Sequence, residues 1–425
     1  MSSTSEYAAA WPIGAGRTGA FRFLAAIDRN VVSTIGARLA ILAGGFVSSI
    51  VTARALTPAG RGEYFLVVTL AQTLAQFGTL GLTSSNTYFV ARDRDAGRAL
   101  VANSVWVAVA VGLVGALVIG FGRTGSNPVV WIATLLAPAT LFYMLGSSLL
   151  VGLKRIGNYN VIQLLGNFGV LACLLTAAAS GAGPLGFLIA STAGWSVTAV
   201  ALLVMLHREV GATARFDLSA FRSGYGYASR AYLATLAGLL LVRANVFLLG
   251  ALQPTAQVGY YSIASQISDV IGILPQSVAL VLFPTLIAAT RGRFKSTVRQ
   301  ALMVGALLAV GCTTIALVAE PFVRIVFGTK LLPAVPVLRW MLPGALCLGV
   351  TSVLSQYLAA SGFPRVIVVI WIGGAVASAV LGYLLIPTRS IVGAAMALSA
   401  TQAAVLVAIV AVSVAHAIRH EQSTN

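Results

Sequence analysis

ALTPAGRGEYFLVVTLAQ at residues 55–72 returns, loosened, as ALQPTAQVGYYSIASQISD at 251–269. Both stretches run Ala-Leu-x-Pro, then a glycine, then an aromatic residue, then a polar residue inside an apolar run. Allowing one inserted residue, Pro58 pairs with Pro254, Gly62 with Gly259 and Gln72 with Asp269. A segment that recurs in the second half of a chain marks a molecule built from two related units.

Around these two segments, apolar windows of about 20 residues, long enough to cross the hydrocarbon of a bilayer as helix, fall near 32–55, 62–83, 99–122, 129–153, 159–181 and 184–206. Six more fall near 229–251, 260–288, 298–319, 335–361, 365–387 and 391–415. With 58% hydrophobic residues, 9% charged residues and a mean hydropathy of +0.94, the composition is that of a polytopic membrane protein. The expected architecture is all-α, with about twelve transmembrane helices in two six-helix bundles. Its parts are an N-terminal tail (1–31), a first bundle (32–206), a connecting segment (207–228), a second bundle (229–415) and a C-terminal tail (416–425). Each half begins on the side of the termini, so the units are parallel repeats related by an axis along the membrane normal.

Charge sorts the loops by side. Of the 27 Lys and Arg, 18 fall in the tails and in the gaps facing them, from Arg17 and Arg22 through Arg92, Arg94, Arg98, Lys154 and Arg155 to Arg365 and Arg419. Six lie on the opposite side, Arg54 and Arg61 among them, and three, Arg38, Arg243 and Arg339, lie inside spans. Cationic loops are retained in the cytoplasm, which places both termini there. The net charge of +17 is thereby accounted for without a nucleic-acid partner. Within the connecting segment, Leu218, Phe221 and Tyr225 recur at helical spacing beside Arg222, which suits a short helix lying in the interface; a plain linker is the other reading. The N-terminal 30 residues hold no apolar run of the kind a cleaved signal peptide needs.

The segments TARALTPAGRGEYFLVVTLAQTLAQFGTLGLTSSNTYFVAR (52–92), RANVFLLGALQPTAQVGYYSIASQISDVIGILPQSVALVLFPTL (243–286) and LLIPTRSIVGAAMALSATQ (384–402) resemble bacterial polysaccharide flippases of the multidrug/oligosaccharidyl-lipid/polysaccharide exporter superfamily. The resemblance runs from about 32 to 415. It implies a V-shaped molecule that alternates between inward-open and outward-open states and carries an isoprenoid-pyrophosphate-linked oligosaccharide across the inner membrane for cell-surface polysaccharide biosynthesis. Membrane lipids, a polysaccharide polymerase and a chain-length regulator are the other partners to be expected, and no cofactor is. Many relatives carry an acidic residue near the start of the segment that here reads Arg243-Ala-Asn245.

A pyrophosphate headgroup calls for a hydrated cationic cavity. An arginine deep in a span is costly, so it is a functional candidate by default, and its guanidinium forks onto phosphate oxygens. Arg243 lies about 12 Å inside the outer end of its span and is the first candidate for cargo binding, with a structural ion pair as the alternative. Arg38 is a second candidate, although it could reach the cytoplasmic interface instead. Arg339 reads as an interfacial anchor. Asp269 is the one carboxylate in mid span, and it could be Arg243's partner, a protonatable coupling residue or a cation ligand. Gln72 with Gln76, and Gln163 with Asn167, share helix faces at a spacing of four; such amides line a sugar path or bind helix to helix.

Enzyme signatures are absent from the sequence. There is no nucleotide-binding glycine loop, the loops are too short for a polytopic glycosyltransferase, and Cys173, Cys312 and Cys347 are too far apart for paired metal ligands. Two further functions stay open. A cation-coupled multidrug antiporter would want more carboxylate than arginine in the membrane, and a noncatalytic scaffold would leave Arg243 and Asp269 as structural partners only.

Overall fold

A computed structural model describes residues 29–121, 131–211, 215–288, 292–361 and 364–422, and these fold into helices with no strand among the described residues. The N-terminal tail lies outside them apart from its last residues. In chain order the helices are α1 (Arg29–Ala55), α2 (Pro58–Gly78), α3 (Leu82–Arg92), α4 (Gly97–Phe121), α5 (Ala133–Gly152), α6 (Ile156–Ala179), α7 (Pro184–Val210), α8 (Leu218–Leu252), α9 (Thr255–Ile271), α10 (Ile273–Ala288), α11 (Arg293–Val326), α12 (Ala334–Ala360) and α13 (Arg365–Gln422).

Nine of these are long and apolar enough to span a membrane by themselves. By length and composition the count is nine, or ten with the bent pair α2 and α3, and three breaks in the helices bear on it. α2 and α3 form one crossing bent by 48°; the bend is made by Leu80 and Gly81, both left-handed at φ 48° and 78°, a conformation that glycine adopts freely and leucine does not. α9 and α10, of 17 and 16 residues, follow one another across a break at Gly272. α13 is two crossings joined at Ser390, where the backbone turns to φ 50°, ψ −134°. That turn is tied to the end of α8, because the Ser390 hydroxyl donates to Gln253 Oε1 (3.1 Å) and Gln253 donates in turn to the Ile386 carbonyl (3.3 Å).

The two halves repeat one packing scheme. In the first, α5 touches α2, α3, α4 and α7, while α1 packs on α6. In the second, α12 touches α9, α10, α11 and α13, while α8 packs on α13. α5 and α12 are accordingly the most enclosed crossings, with 67% and 56% of their spanning windows buried against 22–39% for the others. Each carries an interior proline, Pro138 and Pro343. The outer helices present apolar side chains outward, with Leu317 on α11 74% exposed and Leu113 on α4 62% exposed. Such faces are stable only against lipid.

One expectation needs correction. The separate interfacial helix of the connecting segment does not exist: the helix that starts at Leu218 continues without a break to Leu252. Asp217 caps it by accepting from the amides of Ser219 (2.9 Å) and Ala220 (3.0 Å), and these bonds, Ala220's first, hold its carboxyl below the usual carboxylate range. Asn103 of α4 brackets the same residue, donating to its carbonyl and accepting from its amide, both at 2.8 Å.

Candidate functional site

The halves meet most extensively where α2 crosses α9, and the contact is made by the two repeat segments themselves. A Cβ placed on Gly62 would stand 1.8 Å from the Thr255 carbonyl oxygen, and one placed on Gly259 would stand 2.0 Å from the Pro58 carbonyl oxygen. Backbone therefore rests directly on backbone, reciprocally, at positions that match in the repeat. Only glycine allows this approach.

Beside it lies Arg61, 1% exposed. Its Nε donates to Ser262 Oγ (3.0 Å), one terminal nitrogen to the Ser49 carbonyl (3.1 Å) and to Thr52 Oγ1, and the other to Ser49 Oγ (3.2 Å) and Gln266 Oε1 (2.8 Å). Ser49 also donates to Gln266. One side chain thus binds α1, α2 and α9 through neutral acceptors, with no carboxylate among these partners. A short way off, Arg54 at the end of α1 donates to the Val326 carbonyl (2.9 Å) and to that of Ile325, at the end of α11; a cation there meets the negative end of the helix dipole.

Arg61 was expected in an outer loop. Thr57 accepts from the Gly60 amide (3.1 Å) as N-cap, and Pro58 opens the helix, so the helix begins earlier than the apolar window and encloses the arginine. The Thr-Pro pair is a start signal legible in sequence. The acceptors from α9, some two hundred residues away, are not.

Arg243 occupies a different setting. Its guanidinium donates to Asp269 (3.2 Å) and to Ser265 (3.4 Å); the Arg243 side chain is 20% exposed and that of Asp269 47%. Both line a cavity of about 420 Å3 walled by α8, α9, α10, α12 and α13, with Ser268, Gln276, Ser352 and Gln402 as further polar groups. Among the residues lining it, Arg243 is the one cation and Asp269 the one anion. Gly272 and Pro275, at the break between α9 and α10, also face it; Pro275 has no N–H to offer the Ile271 carbonyl.

α9 is consequently gripped by two arginines. Ser262 and Gln266, four residues apart, hold Arg61, and Ser265 and Asp269, also four apart, hold Arg243. The two pairs are offset by three residues, which sets them on neighbouring strips of one helix.

The other sequence candidates do not gather at this cavity. Arg38 is exposed on α1, Gln72 is exposed on α2 and Gln76 half-buried there, and none of the three lines it. Asn167 is turned against α1, where its Oδ1 would meet a Cβ on Gly44 at 2.2 Å. Gln163 accepts from Tyr143 (2.6 Å) and donates to Tyr159 (2.7 Å), linking α5 to α6. These two amides are interhelical contacts. Arg339 is exposed and donates to the Ala316 carbonyl (3.1 Å). Among the described residues no cluster of His, Cys, Asp and Glu is arranged to hold a metal ion.

Comparison with known proteins agrees with this architecture. The lipid II flippase MurJ in an inward closed conformation superposes with a TM-score of 0.72 at 12% identity, over 89% of this chain and 86% of that one. An inward-facing multidrug resistance MATE family transporter of the MOP superfamily gives 0.71 at 15% identity, over 90% and 96%. A MOP superfamily transporter from Pyrococcus furiosus, described by the reverse polarity of its binding pocket, gives 0.58 at 14%, over 91% and 92%. At these identities the likeness is one of fold. No curated protein matches the sequence. The model of the family described as polysaccharide biosynthesis protein matches residues 51–336. The chain belongs to that polysaccharide biosynthesis family and is a multi-pass membrane protein with the fold of the multidrug/oligosaccharidyl-lipid/polysaccharide exporter superfamily.

Proposed function

We propose that this protein flips an isoprenoid-pyrophosphate-linked oligosaccharide across the bacterial inner membrane, with both termini cytoplasmic. The observation that carries the reading is Arg243, a cation inside a cavity within the membrane-spanning region, held there by a single carboxylate contact. A pyrophosphate offers several oxygens to one guanidinium and can take it in the forked geometry that a lone Asp269 oxygen does not supply. Glycan hydroxyls then exchange hydrogen bonds with Ser352, Gln276 and Gln402.

Arrival of the headgroup releases Asp269 from Arg243. The freed carboxylate takes up a proton or a cation from one side and gives it up on the other, so cargo and Asp269 compete for Arg243 and cargo binding opens Asp269 to the ion. The bundles 32–206 and 229–415 rock about the α2–α9 contact to expose the cavity to alternate faces, joined by the 207–228 segment. A polymerase and a chain-length regulator would receive the product. The exposed Asp269 carboxylate also favours a second reading, export of cationic drugs coupled to an ion, since it would attract such a cargo.

Flipping of a fluorescent undecaprenyl-pyrophosphate oligosaccharide in proteoliposomes decides between them. Wild-type activity lost in Arg243→Ala supports the flippase. A wild type that moves cationic dyes and no lipid-linked glycan replaces it with the antiporter.

A further inference from the structure

A second cavity, about 830 Å3, opens where the bend between α2 and α3 faces α4 and the first turns of α8. Its wall is apolar and rich in aromatic rings: Phe77, Leu80, Trp106, Val114, Phe221 and Tyr232. Tyr232 fixes its edge by donating to the Phe77 carbonyl (2.6 Å), so the strained bend at Leu80 and the α8 face are held as one surface. Its size falls within the range of small-molecule sites.

What this groove takes is indicated by where it leads. Tyr232 and Arg243 are eleven residues apart on one uninterrupted helix, about 16 Å along its axis and only about 20° around it. They face the same way. Between them on that face Thr235 is exposed and Leu236 and Leu239 are half-buried, so the strip of α8 that runs from the groove to Arg243 is only partly covered by neighbouring helices. A phospholipid keeps its phosphate at the interface beside its own tails. An apolar groove on the same helix face as a cation three turns further along suits a molecule whose phosphate travels inward while one long chain trails behind.

We infer that this groove seats the polyprenyl chain of the cargo while its pyrophosphate is at Arg243. The inference rests on the flippase reading and adds to it the place where the apolar part of the substrate binds. The groove then selects for chain length, a property separate from headgroup recognition.

The test uses the full chain in proteoliposomes with a polyprenyl pyrophosphate carrying a photoreactive diazirine near its first isoprene units. The expected labels lie on peptides containing Trp106–Val114 and Phe216–Tyr232, and excess unlabelled polyprenyl pyrophosphate removes them where phosphatidylglycerol does not. Ala110→Trp fills the groove from its exposed α4 wall. It should raise the KM for a long-chain glycan donor about tenfold, leaving kcat and the KM of a donor on a two-isoprene chain unchanged. Displacement of the label by phosphatidylglycerol as readily as by the polyprenyl compound, or equal effects of Ala110→Trp on long and short donors, would overturn the assignment. Wild-type flipping in the same vesicles separates the two failures: if it is absent, the flippase reading falls and takes the groove with it; if it is present with an undiscriminating label, the groove alone falls.

Discussion

Arg61 and Arg243 are both arginines within the membrane-spanning region that bind α9, and they sit in opposite settings. Arg61 is enclosed and satisfied by neutral oxygens of two other helices, α1 and α9, leaving it no free face for a ligand. Arg243 is partly exposed in a cavity and is held by one carboxylate that is itself nearly half exposed. A buried charge costs least when every donor has a partner, so Arg61 is built to stay as it is. A charge next to open space with an exchangeable partner is built to change partners. The depth of an arginine in the membrane therefore does not separate a structural role from a binding role. The completeness of its hydrogen bonding does.

The comparison is sharpened most by Arg243→Ala. Losing two charge-assisted hydrogen bonds to a pyrophosphate should weaken cargo binding by about a thousandfold, with the thermal midpoint in detergent within a degree or two of wild type. Arg61→Ala should do the reverse. It leaves Ser49, Thr52, Ser262 and Gln266 without their shared donor, at a cost of about 3 kcal/mol or more, read as a lower thermal midpoint with cargo affinity within a few-fold of wild type. Gly62→Ala acts on the same joint through sterics, since its Cβ would collide with the Thr255 carbonyl. Spin labels at the outer ends of α1 and α11 should move apart by a few ångströms, and flipping should slow with them. Asp269→Asn removes the competitor of the cargo. Affinity should rise several-fold, while flipping loses its dependence on an imposed ion gradient. Arg339→Ala, whose side chain is exposed and makes one carbonyl contact, should change stability by less than about 0.5 kcal/mol and leave transport intact.

Much of this was legible in the sequence, for physical reasons that particular residues display. The all-helical membrane fold follows from apolar length, and the Pro58/Pro254 and Gly62/Gly259 correspondence marked the chain as two related halves; that these same residues form the joint between them is seen only in the structure. Arg243 and Asp269 could be singled out because charge inside an apolar window is rare. Their pairing was one of several readings, and the structure shows the two side chains in contact at 3.2 Å. Arg61 was misplaced because a hydropathy window cannot see that a capped helix starts four residues ahead of its apolar run. Gln72, Gln76 and Asn167 lie away from the Arg243 cavity, a placement the sequence could not give: spacing along a helix gives a shared face, and it does not say whether that face meets a cavity, a neighbouring helix or lipid. The same ignorance of facing hid the 218–252 helix, whose first turns look interfacial alone and are the foot of a full crossing.

The most direct measurement is equilibrium binding of undecaprenyl pyrophosphate to purified wild type, Arg61→Ala and Arg243→Ala at equal folded fraction. The expected result is near wild-type affinity for Arg61→Ala and loss of binding for Arg243→Ala. Equal loss in both, or undiminished binding by Arg243→Ala, would contradict the division of labour between the two arginines.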